Sequence, residues 1–128
     1  MADYTVVVKD TSETEFIEQF TFTYTGQIQP LTGLGRLYLE GPYSVNNIRF
    51  TLGVVADRDV ILDLRKNGTS IYSNRPRIAS GQYTGLGNDA ITSPVFAKGD
   101  YLTLDVIQSG LTQTGQDLVA TLRLKRLF

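Results

Sequence analysis

Hydrophobic and polar residues alternate with a period of two along most of this chain. From Phe20 to Thr25 aromatic residues alternate with threonines, and Leu118 to Lys125 shows the same alternation with leucine and alanine. Aromatic and β-branched residues in this pattern suit a pleated strand with one buried face. No window sustains a period of 3.6; Thr11 to Gln19 admits one helical turn, and a strand is preferred for its second half. The pattern therefore predicts an all-β chain.

Glycine and proline separate the alternating runs at short intervals. The predicted strands lie near residues 4–8, 16–25, 35–40, 45–55, 59–66, 69–73, 100–108 and 117–126, and the pattern admits a short extra strand at 91–96. Many short strands with a turn about every 8–12 residues are typical of a sandwich or barrel. We therefore predict one jelly-roll-type antiparallel β-sandwich over residues 1–128, with residues 1–30 forming a partly extended N-terminal arm and the first strand or strands.

One turn is specified more sharply than the others. Asn67-Gly68 stands between the apolar runs Val60–Leu64 and Ile71–Tyr72. Both turn residues tolerate the positive φ of a type I′ turn, which makes Asn-Gly a strong hairpin signal. The sequence therefore predicts a hairpin that turns at Asn67-Gly68.

The side chains available for chemistry are few. The chain has no histidine and no cysteine, which excludes Ser-His-Asp and Cys-His catalysis and metal sites built from imidazole or thiolate. A carboxylate pair remains as a catalytic option, and the densest acidic group is Asp57, Asp59 and Asp63. Asp57 and Asp59 flank a predicted turn, where aspartate commonly hydrogen-bonds to the backbone. We therefore expect a protein that is not an enzyme, with no catalytic residues, metal or cofactor.

Charge and hydropathy also exclude some partners. The net charge is −1, whereas a general nucleic-acid binder normally carries a basic excess. No apolar run approaches the roughly 20 residues that a membrane helix needs, and the first ten residues lack the pattern of a signal peptide. We expect a soluble protein with no nucleic-acid or membrane partner.

The charge is unevenly distributed along the chain. Residues 1–30 contain one base and five acids and balance at −4; the remaining 98 residues contain eleven bases and eight acids and balance at +3. These charges are either scattered over a solvated surface, or they form an acidic leading segment that meets a basic surface on a neighbour. Both interpretations remain open.

Two segments are candidates for binding a partner. Alternate residues of the leading strand share one face. This strand could pair with the edge of a sheet in a neighbouring protein. Arg75-Pro76-Arg77 forms either a rigid basic tip that meets an acidic partner or a solvated loop. Two acids of the leading segment, Glu13 and Glu15, are added to these. The candidate partner-binding residues are therefore Tyr4, Val6, Val8, Glu13, Glu15, Arg75 and Arg77.

Residues from about 36 to 124 resemble a module of virion proteins from tailed bacteriophages, especially phages of cyanobacteria. The segments that carry the resemblance are Gly35–Leu39, Ile48–Gly53, Val60–Ile71, Arg75–Gly81, Lys98–Val106 and Gly110–Leu124. The resemblance implies a jelly roll without catalytic residues, such as occurs in tail fibres, baseplates and head decoration proteins. It covers about two-thirds of the chain.

A short domain with its own Met1 and an N-terminal arm suits a capsid decoration, or cement, protein. On this resemblance we expect it to stabilise the outer capsid lattice, with the major capsid protein and itself, as a homotrimer, for partners. It would be made in the host cytoplasm and located on the capsid surface of the virion. The alternative is a receptor- or carbohydrate-binding module of a tail fibre or baseplate, although the chain lacks tryptophan, the usual sugar platform. A small glycosidase is a third class, supported only by carboxylates without an assigned place.

Overall fold

The computed structural model describes the backbone of residues 2–11 and all atoms of residues 16–128. The described residues form eleven strands. Their bounds are β1 Ala2–Thr11, β2 Phe16–Gln27, β3 Leu31–Tyr38, β4 Tyr43–Thr51, β5 Val60–Lys66, β6 Thr69–Ser70, β7 Arg77–Ile78, β8 Thr84–Leu86, β9 Val95–Phe96, β10 Tyr101–Gln108 and β11 Gln116–Arg126. No helix occurs within these described ranges.

The strands form two antiparallel sheets packed face to face. Sheet I has the order β1-β2-β11-β4-β8, with β9 also paired to β4, and sheet II has the order β3-β10-β5-β6, with β7 also paired to β5. From β2 to β5, successive strands alternate between the sheets, and β10 and β11 then insert between earlier strands. This alternation with late central strands is the double Greek key of a jelly roll. The predicted fold class is confirmed.

The core lies between the sheets and is built by the period-two alternation. Fully buried side chains include Phe22 and Phe50 from sheet I and Leu62, Leu64 and Leu104 from sheet II. Each large apolar side chain that is fully buried contributes about 1.5–3 kcal/mol relative to exposure. Alternate residues of the central strands of sheet II point away from this core, and they form the outer face described below.

The hairpin prediction is confirmed. β5 and β6 pair across Asn67-Gly68, with Lys66 opposite Thr69. Asn67 has φ 53° and Gly68 has φ 88°, as a type I′ turn requires. The sequence was least informative about three short strands of the second half, β7, β8 and β9. β9 falls inside the short extra strand that the pattern admitted at 91–96. β7 and β8 were not predicted.

The N-terminal segment is extended, and residues 2–11 form the first strand. β1 pairs with β2 in antiparallel register from Ala2 opposite Tyr24 to Thr11 opposite Phe16, with a register shift between Val6 and Lys9. Its backbone also lies against β3. Pairing within the chain satisfies the main-chain groups on one side of β1.

Candidate functional site

The outer face of sheet II contains two buried carboxylates where a solvated face would be expected. Asp63 on β5 and Asp105 on β10 are direct cross-strand partners. Their neighbours along each strand point into the core, so both aspartates point outward, yet Asp63 is 0% and Asp105 1% exposed. Aspartate is rarely buried to this degree unless it is paired. The outer face is therefore covered by other side chains.

Two arginines and a serine cover and pair with these carboxylates. Arg65 lies beside both, with its Nε 2.7 Å from Asp105 Oδ2 and 3.6 Å from Asp63 Oδ2. The Nε of Arg75 is 3.4 Å from Asp63 Oδ2. Ser70 donates its hydroxyl hydrogen to Asp63 Oδ1 at 2.5 Å. The backbone N–H of Gly33, on β3, donates to Asp105 Oδ1 at 2.7 Å.

The acceptor groups of this network are buried, and its donor side chains are partly exposed. The two carboxylates are buried, whereas the side chains of Arg65 and Arg75 are 33% and 47% exposed. A charged group buried in this way costs several kcal/mol of hydration that its partners must offset. Each carboxylate therefore helps to orient a guanidinium. Nη1 of Arg65 also donates to the carbonyl oxygen of Gly68 at 3.3 Å, whereas Arg75 is the more exposed of the two arginines.

A cleft of about 400 Å³ opens beside this network. The chain leaves the edge of β5 after β6 and returns to it at β7, so residues 71–76 form a wall along that edge. Ile61 and Ile107, outward-facing residues of β5 and β10, supply an apolar floor. The lining residues are Ile61, Ser70, Tyr72, Ser73, Asn74, Arg75, Arg77 and Ile107.

Buried hydrogen bonds fix the wall of this cleft. Tyr72 is 7% exposed, and its hydroxyl donates to the carbonyl oxygen of Gly87 at 2.8 Å. Burial is the main cause that raises the pKa of Tyr72 far above its ordinary value, so it remains a neutral donor. The backbone N–H of Leu62 donates to the carbonyl oxygen of Pro76 at 3.0 Å. The wall is thus tied to both sheets.

The Arg75-Pro76-Arg77 segment lies at this cleft and not at an isolated tip. Pro76 is buried, and the two arginines on either side of it are exposed. Arg77 Nη1 is 3.1 Å from Asp59 Oδ2, in an ion pair exposed on both sides. Both candidate arginines therefore lie on one rim, which also borders a second hollow of about 210 Å³.

Of the five candidate residues in the N-terminal segment, the structure describes the backbone of three. Tyr4 and Val6 occupy register positions opposite Phe22 and Phe20, both of which are core residues. Val8 falls in the register shift of β1. Glu13 and Glu15 lie outside the described residues.

The remaining aspartates of the predicted acidic group accept backbone hydrogen bonds, but from loops distant in sequence and not from the turn that they flank. Asp57 accepts hydrogen bonds from the backbone N–H groups of residues 111, 112 and 113 at 2.6, 2.8 and 2.9 Å. These bonds lower the pKa of Asp57, with the bond from Gln113 contributing most. The backbone N–H of Ser80 and the guanidinium of Arg77 likewise lower the pKa of Asp59. Both carboxylates thereby join loops that are distant in sequence.

A second cluster on the outer face of sheet II contains exposed aromatic residues. Tyr38 and Tyr101 are cross-strand partners whose ring centroids are 5.5 Å apart, and Tyr38 is 52% exposed. The guanidinium of Arg36 lies 4.4 Å from the centroid of the Tyr101 ring. Tyrosine and arginine are enriched in protein interfaces, so the cluster adds to the binding character of this face.

Sequence reasoning named Asp63, Arg75 and Arg77 but missed Asp105 and Arg65. A signal was present: Asp63 and Asp105 each stand between two apolar residues that alternate with polar ones. Pairing the two strands in the correct register is what brings the carboxylates together, and one sequence does not fix that register.

The described residues contain neither a cluster of metal-binding side chains nor a membrane-spanning helix. No group of three or more His, Cys, Asp or Glu side chains in residues 16–128 is placed to hold a metal ion. No helix in the described part of the chain is long and apolar enough to cross a membrane.

Comparisons with known proteins return only distant structural likenesses. No protein-family model and no curated protein sequence matches the chain. The cupin domain of Schizosaccharomyces pombe Cnp3 aligns over 99% of this chain and 61% of its own, with a TM-score of 0.37 and 8% identity; this chain thus spans less than two-thirds of that one. A family 35 carbohydrate-binding module from Clostridium thermocellum aligns over 96% of this chain and 90% of its own, with a TM-score of 0.39 and 10% identity.

Proposed function

We propose that this chain is a non-enzymatic virion structural protein, a decoration or cement protein that binds and stabilises the outer capsid lattice of a tailed bacteriophage. The observation that carries the proposal is the open edge of β1. This strand runs for ten residues and, within the described chain, pairs on one side only. The resemblance of the sequence to phage virion modules gives this edge a partner, the major capsid protein.

An open strand edge is a feature that monomeric proteins usually protect. A charged residue or a bulge blocks pairing with another chain. In β1 the register shift and Lys9 fall in the second half of the strand, whereas Ala2 to Val6 pairs with β2 without interruption. Asp3 is a charged residue in the first half, but no register shift occurs there. The first half of β1 therefore offers a regular row of main-chain donors and acceptors to a partner strand.

A capsid decoration protein has a definite location in the virion and a definite oligomeric state. The protein would be made in the host cytoplasm and reside on the capsid surface, as a homotrimer if it occupies a local threefold axis. It would use no cofactor, and its carboxylates would serve structure instead of catalysis. Loss of turnover of a bacterial surface glycan on Asp63→Asn would contradict the non-enzymatic part, provided that the wild-type protein shows such turnover.

The direct test is co-sedimentation of the purified protein with undecorated capsids and, separately, with host cells. Binding to capsids alone, with a higher temperature of capsid disruption, is the expected result. Binding to host cells alone would contradict the proposal and favour the alternative, a receptor- or carbohydrate-binding module of a tail fibre or baseplate. Absence of binding to either target would refute both functions.

Proline substitutions in β1 test the edge itself. Backbone N–H groups of adjacent residues point to opposite sides of a strand, so Tyr4→Pro and Thr5→Pro remove donors from opposite edges. The variant that loses the outward donor should keep its stability and lose capsid binding; the other should lose stability. If the stable variant binds capsids as tightly as the wild type, the edge of β1 is not the contact.

A further inference from the structure

The cleft beside Asp63 combines oriented donors with an apolar floor. Arg75 contacts Asp63 through its Nε, and neither of its terminal nitrogens makes a hydrogen bond to the described residues. Asn74, also on the rim, is exposed, and its side chain makes no hydrogen bond within the same part of the chain. The free nitrogens of an anchored guanidinium form a planar fork that fits a carboxylate.

The balance of charge decides which anion fits. Around the cleft, the cations Arg65, Arg75 and Arg77 face an equal number of anions, Asp59, Asp63 and Asp105. The site has no excess positive charge to attract a doubly charged phosphate. A singly charged carboxylate can still use the exposed donors, because the two best-paired anions are buried. The charge therefore favours a carboxylate.

The floor decides which molecule carries that carboxylate. Ile61 and Ile107 offer aliphatic surface, and Ile107 is 36% exposed. The one aromatic residue among the lining residues, Tyr72, is 7% exposed and so presents no open ring face on which a sugar could stack. An aliphatic floor instead suits the side-chain methylenes of glutamate or an apolar residue next to it.

We propose that this cleft is a docking site for an acidic side chain of a partner protein, a glutamate or aspartate flanked by apolar residues. The site deepens the proposed function, because it gives the protein a contact separate from the edge of β1. Preorganisation by the buried carboxylates reduces the entropy that Arg75 loses on binding. A single docked side chain binds weakly, so this contact would add specificity and avidity to a larger interface.

The test uses a peptide probe and needs no capsid. Acetyl-Leu-Glu-Leu-amide is titrated at millimolar concentration while the methyl NMR signals of Ile61 and Ile107 are followed, with acetyl-Leu-Gln-Leu-amide as the neutral control. We expect saturable shifts at both methyls with the glutamate peptide and affinity about tenfold lower for the glutamine peptide, as for the loss of one charge-assisted contact. Absent shifts, or equal shifts with both peptides, would overturn the proposal.

Variants separate recognition from folding. Arg75→Gln removes the charge, and Arg75→Lys keeps a charge beside Asp63 but lacks the planar fork. Both should weaken the peptide response about tenfold; Arg49→Gln, at an exposed arginine on sheet I, should leave it unchanged. If Arg75→Lys folds and binds as tightly as the wild type, the cleft is not the site. If the stable β1 proline variant binds capsids as tightly as the wild type while the peptide response is intact, the edge contact is ruled out and the cleft remains.

Discussion

Asp63 and Asp105 face each other across β5 and β10 on the outer face of sheet II, and neither is more than 1% exposed. Two like charges directly opposite each other destabilise a sheet unless a cation lies between them. Arg65 contacts both carboxylates, and it is therefore the residue on which the pair depends.

Arg65→Met should destabilise the fold by about 3 kcal/mol, the lower end for a buried charge that loses its partner, because Arg65 is one-third exposed. Urea unfolding measures the change. Adding Asp105→Asn to Arg65→Met removes one of the two opposed charges and should recover part of the loss. An unchanged unfolding midpoint for Arg65→Met would show that the network contributes no stability.

Asp57 should make stability depend on pH in the acid range. Its pKa is lowered in the folded state by backbone hydrogen bonds, so its stabilisation is fully present above the unfolded value of about 3.9. The stabilisation is lost as the pH falls through the lower, folded value. Asp57→Asn should lower the melting temperature at neutral pH and reduce its fall between pH 5 and pH 2, roughly the range of such linkage. Asp89→Asn, in an exposed loop position, is the matched control and should follow the wild-type curve.

Gly68→Val should reduce the stability of the folded state by about 1–3 kcal/mol through backbone strain alone. Gly68 has φ +88°, and a Cβ added there meets nothing within 4 Å, so no steric clash contributes. Gly68→Asn should cost less, because asparagine tolerates a positive φ. Thermal unfolding of the two variants distinguishes these outcomes, and equal losses would contradict an origin in φ.

Tyr72→Phe should lower the free energy of unfolding by about 1–3 kcal/mol, because Tyr72 fixes the wall of the cleft. The substitution removes the hydroxyl hydrogen that Gly87 accepts and leaves a buried carbonyl without that partner. Guanidinium unfolding gives the magnitude. Tyr83→Phe, at a tyrosine that is 58% exposed, is the control and should change stability little.

The sequence predicted most of the fold because its signals were local. Alternation marked the long strands, and Asn67-Gly68 marked a hairpin whose φ values only a few residue types adopt. β7 and β8 were missed because residues 77–78 and 84–86 are strands only through pairing with β5 and β4; their own two or three residues hold no period.

The site was less predictable than the fold. Arg75 and Arg77 were chosen for their charge, but only the tertiary structure shows that a buried carboxylate orients Arg75. Residues 71–76 build the cleft wall by leaving β5 and returning to it, and such an excursion has no signature in hydropathy. The segment from Tyr4 to Val8 was correctly predicted to be extended, whereas its pairing with β2 depends on a long-range register.

The most direct measurement of the central claim is amide hydrogen exchange of β1 in the free protein and on undecorated capsids. In the free protein, amides of residues 2–6 that point away from β2 lack a partner strand and should exchange fast. The account predicts that these amides become protected on the capsid, while those bonded to β2 remain protected in both states. Bound protein in which the outward amides exchange as fast as in the free protein would contradict attachment through the edge of β1.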